Sequence, residues 1–339
     1  MNASPPAVLY PTDPLALAMN LLFGLLSLFH TGRDGLKVFT LSVDRQLLLG
    51  LVFLLLNPLI LLFIRRVNPM RSRVAHFFRL FYPQALYTLY FSQSIRLSQL
   101  LYGGRSLDRQ FAWLEQALFG CQPALIVSRR LQGGALLNEL IFFSYFFFYI
   151  LIAVGPWLLY LRRRCEEALR TLFIITLSFF ILYVWYVFFP VQGPKYYFPE
   201  LHAEWYRNFS GYFFTRLMKR LFESMNLAGA AVPSSHVAMA LVSMLLYWRN
   251  NRILFWGCLP LSALLMFSTV YLYAHYAVDI ILGAAAGVLL FALVPKARGS
   301  LRRLSARLGA WLGARLGFPG IELSRRGPGG RRRAAAGRP

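Results

Sequence analysis

Acid is scarce in this chain: thirteen Asp and Glu stand against thirty-six Lys and Arg in 339 residues, and charged residues of either sign make up only 14%. Such a composition excludes an ordinary soluble domain of this size and leaves few ionisable groups for chemistry. Cysteine is also sparse. The three, at 121, 165 and 258, are widely separated and odd in number, which excludes both a disulfide framework and a CxxC metal knuckle. Histidine occurs five times. No repeat of fixed period is visible, and nothing argues for a second folded domain.

What fills the chain instead is apolar: 58% of residues are hydrophobic and 16% aromatic. Runs near the length needed to cross a hydrocarbon core of about 30 Å recur at 46–64, 138–161, 170–190, 253–274 and 277–294. Segments 80–100 and 234–248 are weaker, the first because it carries polar residues and the second because it is short. A further run at 15–30 reads as a retained helix and not as a signal peptide. No Lys or Arg precedes it and no clear small-residue cleavage site follows. The pattern predicts an all-α, polytopic transmembrane helical bundle of about eight helices over 1–295.

The net charge of +23 suggests nucleic acid until its location is considered. Residues 296–339 carry twelve Lys and Arg against one acid, Glu322. A basic tail after the last span points to anionic lipid headgroups at a cytoplasmic end, with no nucleic-acid partner. Within it, 300–318 has Leu and Trp at helical spacing opposite Arg, as in a surface-lying amphipathic helix. The Gly-, Pro- and Arg-rich remainder is expected to be disordered. The clusters at 65–73, 162–170 and 249–252 belong on the same inner side. Connections 101–137, 190–233 and the turn near 274–276 then fall outside.

Ionisable groups at membrane depth are costly, which makes each one a functional candidate. His236 and His275 flank one helical hairpin at its outer end, and Asp279, four residues after His275, is the one carboxylate between Glu223 and Glu322. On a helix, positions i and i+4 are neighbours, so Asp279 can hold one ring nitrogen of His275 and leave the other directed outward. The pair reads either as an interhelical hydrogen bond or as a nucleophile with its orienter. In "PSSH" (233–236), Ser234 and Ser235 stand at a helix start, where free N–H groups and the positive dipole end bind anions. The serines cap the helix or donate to a phosphate, and His236 is a stray imidazole or a general acid. In "FFPVQGPKYYFPE" (188–200), Lys195 either snorkels to the interface or meets a lipid phosphate.

These three elements, in this order, resemble the type 2 phosphatidic acid phosphatase (PAP2) superfamily, whose motifs are a basic phosphate-binding loop, PSGH, and a His with an Asp four residues later. The resemblance covers about 170–295 firmly. Upstream, "LDRQFAWLEQALFGCQP" (107–123) and "NELIFFSYFFFYI" (138–150), together with "GPKYYFP", resemble more softly the branch of inositol phosphorylceramide synthases.

The resemblance implies a helical membrane bundle with six core spans, no metal and no organic cofactor. It implies His275 as nucleophile, Asp279 as its orienter, His236 as acid on the leaving group, and Ser234, Ser235 and Lys195 as contacts to the phosphoryl group of a membrane lipid. Water as acceptor would make a phosphatase, an alcohol a phosphotransferase. The chain departs from the pattern twice. Ser268 and Thr269 stand where a Ser-Arg pair is usual, and no Arg-Pro follows the lysine. Arg207, Arg216, Lys219 and Arg220 are candidate replacements.

Other classes stay open at this point: a non-catalytic transporter or lipid-binding protein, or a zinc site on His236, His275 and Asp279. The expected location is a bacterial inner membrane, with the site facing the periplasm.

Overall fold

Hydrocarbon offers no partner to a backbone N–H or C=O, so an apolar run that crosses it must satisfy those groups within itself, as a helix does. The computed structural model describes residues 9–32, 35–38, 41–69, 71–131, 134–225 and 228–316. It is helical throughout, apart from one two-stranded antiparallel ribbon, β1 (Gly35–Val38) and β2 (Leu41–Asp44). The long helices are α2 (Arg45–Arg66), α7 (Ala135–Leu161), α8 (Cys165–Phe188), α13 (Arg252–Tyr271) and α14 (Ala277–Leu316). All five are long and apolar enough to cross a membrane. α1 (Asp13–Phe29) is a shorter apolar helix, and α12 (Ser235–Asn250) completes the hairpin with α13. α8 is the centre of the bundle and α2 its margin, with 72% and 22% of their respective spans buried.

Three departures from the hydropathy reading have local causes. The segment 80–100 is not one span but two helices, α3 (Arg73–Ala85) and α4 (Tyr87–Tyr102), meeting at Leu86. Pro83 lies in the last turn of α3 and has no N–H to offer the carbonyl one turn back. The expected surface helix at 300–318 is instead the continuation of α14, which runs through Pro295 to Leu316. Its Leu308 packs beside Leu9, Ala16, Ile60 and Ile64, so part of the apolar stripe is covered by α1 and α2. The long connections 101–137 and 190–233 are themselves helical: α5 (Asp108–Phe119) and α6 (Pro123–Arg130) lie in the first, α9 (Pro194–Tyr197), α10 (Pro199–Asn208) and α11 (Phe213–Met225) in the second. The tail expected to be disordered, from 317 on, lies outside the described residues.

Hydrogen bonds between turns sort the helix ends into two groups. Arg164 donates to the Asn250 carbonyl at 3.2 Å, the Tyr160 hydroxyl to that of Arg73 at 2.6 Å, and Arg298 to Glu166 at 2.5 Å. The basic clusters at 65–73, 162–170 and 249–252 therefore share one end with the start of the C-terminal segment. At the opposite end the Leu107 N–H reaches Pro190 O at 2.8 Å, Ala231 N reaches Val191 O at 3.1 Å, and Lys195 N reaches Tyr273 O at 2.9 Å. Lys195, His236 and His275 are thus gathered at the end away from the basic turns.

The relation between the two histidines is set by how α12 lies on α14. Gly283 and Gly287, spaced like a small-xxx-small contact, let the backbones approach closely. A Cβ on Gly283 would meet Ser234 O at 2.8 Å, and one on Gly287 would meet Ala238 O at 2.8 Å. Both neighbours are backbone atoms that cannot swing away. Gly283→Ala is accordingly expected to separate the two helices at the end that holds the histidines and destabilise the protein by about 1–3 kcal/mol. Thermal unfolding of the purified variant in detergent checks this, and an unchanged midpoint would contradict it.

Candidate active site

Three chain segments converge at the end away from the basic turns, and each brings its residue by a different device. Residues 189–198 follow α8 and turn on Gly193, whose φ is +96°. A Cβ there would lie 2.7 Å from Ala274 O, so glycine is needed both for the turn and for the close approach. The turn delivers Lys195. The second segment ends in Ser234, the N-cap of α12, whose side chain accepts from Val237 N at 3.4 Å. Ser235 and His236 follow in the first turn. The third is the sharp connection from α13 to α14, which carries His275.

His275 is not within a helix, as the i,i+4 reading assumed, but just before one. α14 starts at Ala277, and Asp279 is its third residue. Asp279 Oδ2 accepts from Tyr276 N at 2.9 Å while Asp279 N donates to Tyr276 O at 3.1 Å, a reciprocal capping arrangement. The same Oδ2 lies 3.4 Å from His275 Nδ1. A nearer partner exists: the Ala231 carbonyl, 2.8 Å from Nδ1. A carbonyl can only accept, so Nδ1 carries the proton and the Nε2 lone pair is left for chemistry. The carboxylate contributes charge behind the ring, and the carbonyl fixes the tautomer.

The histidines face a shared cavity of about 200 Å³, lined by Lys195, Ser235, His236 and His275 at its polar end. Their ring centroids are 5.7 Å apart. His236 is held between Tyr145 and Phe148 of α7, at 4.5 and 4.4 Å, and its Nδ1 is buried with no hydrogen-bond partner among the described residues. Away from the histidines the wall is largely aromatic and apolar, with Tyr87, Phe91, Phe179 and Tyr183 among its residues and Ile152 and Gln84 further along. Ser234 does not line the cavity; it is buried in its capping role.

Lys195 is only 3% exposed, with Nζ 4.0 Å from the Trp205 ring centroid and 4.8 Å from that of Phe222. Both are geometries in which a cation meets an aromatic face. Burial pushes its ammonium down to about 8, Glu223 opposing and Lys219 adding to the shift. None of the four candidate replacements for the absent arginine lines the cavity. Arg207, Arg216 and Arg220 are exposed, and Lys219 donates to Phe209 O at 2.6 Å. Among the described residues Lys195 is the only Lys or Arg in its wall. No three His, Cys, Asp or Glu side chains among the described residues are grouped as metal ligands, and His236, His275 and Asp279 are no exception.

The sequence pattern of the PAP2 superfamily matches residues 109–293, more than half of the chain. The chain belongs to the PAP2 superfamily. The match reaches beyond the three motifs to include most of α5, all of α6 and α7, and so takes in the Tyr145 and Phe148 walls of His236 as well as the motifs themselves. No curated protein and no solved structure matches the chain.

Sequence reading found the PAP2 motif residues and missed their supports. The Ala231 carbonyl is a backbone acceptor without a side-chain signature. Tyr145 and Phe148 sit in a helix so aromatic that no position stands out. Asp108 and Glu115, fully buried on α5, contact the same two loops from a distance of more than eighty residues in sequence.

Two outcomes follow from the charges. If Lys195 acts as a cation, activity is present below about 8 and lost as pH rises through that value, because the buried ammonium gives up its proton there. Lys195→Arg is expected to move this alkaline limb upward by more than one pH unit, and a limb that stays in place would show that another group sets it. Asp279→Asn keeps an oxygen to accept from Tyr276 N and removes only the charge. A fall in kcat of about 10²-fold or more, with folding intact, is expected if the carboxylate stabilises the charged ring, whereas near-parental activity would leave Asp279 as a cap alone.

Proposed function

We propose that this PAP2 member transfers a phosphoryl or phospho-headgroup from a membrane lipid through a phosphohistidine on His275. The observation that carries the reading is the convergence of His275, His236 and Lys195 on the polar end of a cavity whose remaining wall suits a hydrocarbon chain. The Nε2 lone pair of His275 attacks phosphorus, and the bond from phosphorus to the leaving oxygen breaks. His236 gives that oxygen a proton. Lys195 and Ser235 neutralise and orient the non-bridging oxygens, with the α12 N-terminus behind them. Asp279 offsets the positive charge the ring acquires. An incoming water or alcohol then attacks phosphorus, the N–P bond breaks, and the acceptor's proton passes to His236, which restores both histidines.

One observation bears on the choice of donor. A phosphomonoester at neutral pH carries close to two negative charges, a phosphodiester one, and a single buried lysine faces them here. This favours a phosphodiester lipid and hence headgroup transfer of the inositol phosphorylceramide synthase kind, with monoester hydrolysis second. The basic turns at the opposite end from His275 support a site on the outer face of a bacterial inner membrane, with 1–295 as the membrane domain and anionic lipid at the basic tail from 296.

The test offers purified protein phosphatidylinositol and phosphatidic acid, each carrying ³²P in its phosphate, with and without a long-chain alcohol acceptor. Turnover with transient, acid-labile label on the protein is expected. His275→Ala should lose the label and about 10³-fold or more in rate, while unfolding at the parental temperature. A chelator should leave the rate unchanged. Bound lipid without turnover or label would identify a non-catalytic binding protein on this scaffold.

A further inference from the structure

The loop that carries Lys195 and the turn that carries His275 are separate in sequence, yet both are fastened to one face of α5. Asp108 Oδ2 accepts from Gln192 N at 2.8 Å, and Asp108 Oδ1 accepts from Gly193 N at 2.8 Å and from the Tyr276 hydroxyl at 2.9 Å. Two turns along the same face, Glu115 Oε1 accepts from Ala277 N at 2.5 Å and from Val278 N at 3.2 Å. Between them Phe111 stacks on Tyr276, with ring centroids 6.1 Å apart and planes at 28°. Residues 108, 111 and 115 form the buried stripe of α5, whereas Arg109, Trp113 and Leu118 on its other faces are exposed.

We propose that Asp108 and Glu115 are positioning residues for the proposed transfer reaction, which lock the Lys195 loop and the His275 turn to α5 so that the separation of the phosphate-binding cation from the nucleophile is fixed. The inference rests on the reading of His275 and Lys195 given above. Neither carboxylate lines the cavity, so neither touches the reacting atoms. Each instead takes up N–H groups that have no helical partner, two in the loop before Lys195 and two at the open start of α14. Asp279 satisfies the remaining N–H of that start, at Tyr276. The turn following His275 therefore has its N–H groups at 276, 277 and 278 all taken by two buried carboxyl groups, Asp279 at 276 and Glu115 of another helix at 277 and 278. Such a turn cannot shift without breaking several charge-assisted bonds at once.

Burial pushes the Glu115 carboxyl up to about 7, with the charge of Asp279 adding to the shift and the two backbone donors opposing it. A neutral amide is therefore a fair substitute for it near neutral pH, since glutamine keeps the oxygen that accepts from Ala277 and Val278. The titratable groups around it are Asp279 and Tyr276 on the α14 side and Asp108 on its own helix.

The variants Asp108→Ala, Asp108→Asn, Glu115→Ala and Glu115→Gln would be compared with the parent in detergent micelles, using dioctanoyl phosphatidylinositol and phosphatidic acid as probes. Backbone hydrogen exchange would be followed alongside turnover. The alanine variants are expected to lose about 10²-fold in kcat with KM within about threefold, as for catalytic groups displaced by around an ångström. Exchange should rise about tenfold or more at 191–196 in Asp108→Ala and at 275–279 in Glu115→Ala, and not across the bundle. Glu115→Gln should recover most of both, whereas Asp108→Asn, which keeps one accepting oxygen and turns an amide nitrogen toward the other N–H, should recover only part. Unchanged exchange at those segments overturns the brace, and so does faster exchange with parental kcat. Should an alanine variant fail to fold, the conservative variant decides: Glu115→Gln at parental kcat and exchange, or Asp108→Asn with a partial fall in kcat and faster exchange confined to 191–196, supports the acceptor role, whereas loss of kcat without local change in exchange refutes it. A parent that turns over neither probe overturns the phosphotransfer reading, and the exchange comparison then still tests the brace by itself.

Discussion

The hydrogen bond from His275 Nδ1 to the Ala231 carbonyl is the contact on which the rest of the site depends. It joins the α13–α14 turn to the segment leading into α12, and so joins the third motif to the second. It also decides the chemistry the ring can do, because a donor at Nδ1 leaves an acceptor at Nε2. The requirement on the fold is strict: a backbone carbonyl must stand within hydrogen-bond reach of a side chain forty-four residues away. The cross-links between loops 189–198 and 229–236, and the glycine-mediated approach of α14 to α12, keep it there.

A membrane protein with few charges has to place them where burial is offset. The fully buried Arg79–Asp13 pair, 2.9 Å apart, ties α3 to α1. Tyr82 donates to the same carboxylate at 2.9 Å. Asn20, Asn57 and Tyr90 continue this polar connection among α1, α2 and α4. Leaving one member of such a set unpaired costs more than the set contributes. At the end that holds the histidines the same rule operates with carboxylates and backbone N–H groups, and it explains why scarce acids are placed at three positions behind one histidine turn.

How far the site was legible in the sequence follows from the range of each signal. Spans emerge from hydropathy because the bilayer acts on every residue in turn, and Pro83 marks a place where a local backbone effect ended a helix early, whereas α14 continues through Pro295. The Lys195 loop, PSSH and HYAVD were readable because each packs its chemistry into a few residues. Ser234 and Ser235 are adjacent and alike in sequence, yet one is turned inward as a cap and the other faces the cavity, a distinction made by helix geometry. Asp108 and Glu115 appear in sequence as ordinary acids of an outer loop. Only tertiary structure brings them beneath residues 192–193 and 277–278.

The absent arginine is also a statement about water and field strength. A guanidinium would bring a permanent charge and a fork of donors to the phosphate. Lys195, enclosed by Trp205 and Phe222, offers a charge that is less well hydrated and thus interacts more strongly over a short range. The aromatic faces stabilise the ammonium, and on the reading proposed above an entering phosphate would compete with them for it. On that reading such a site would discriminate by charge density, since its one lysine gives up its charge with its proton and the only further cation in its wall among the described residues, a protonated His236, hands its proton to the leaving oxygen during the transfer. On the same proposed reading, a donor that presents its phosphorus as a monoanion, between a headgroup and a lipid, is the one such electrostatics would favour.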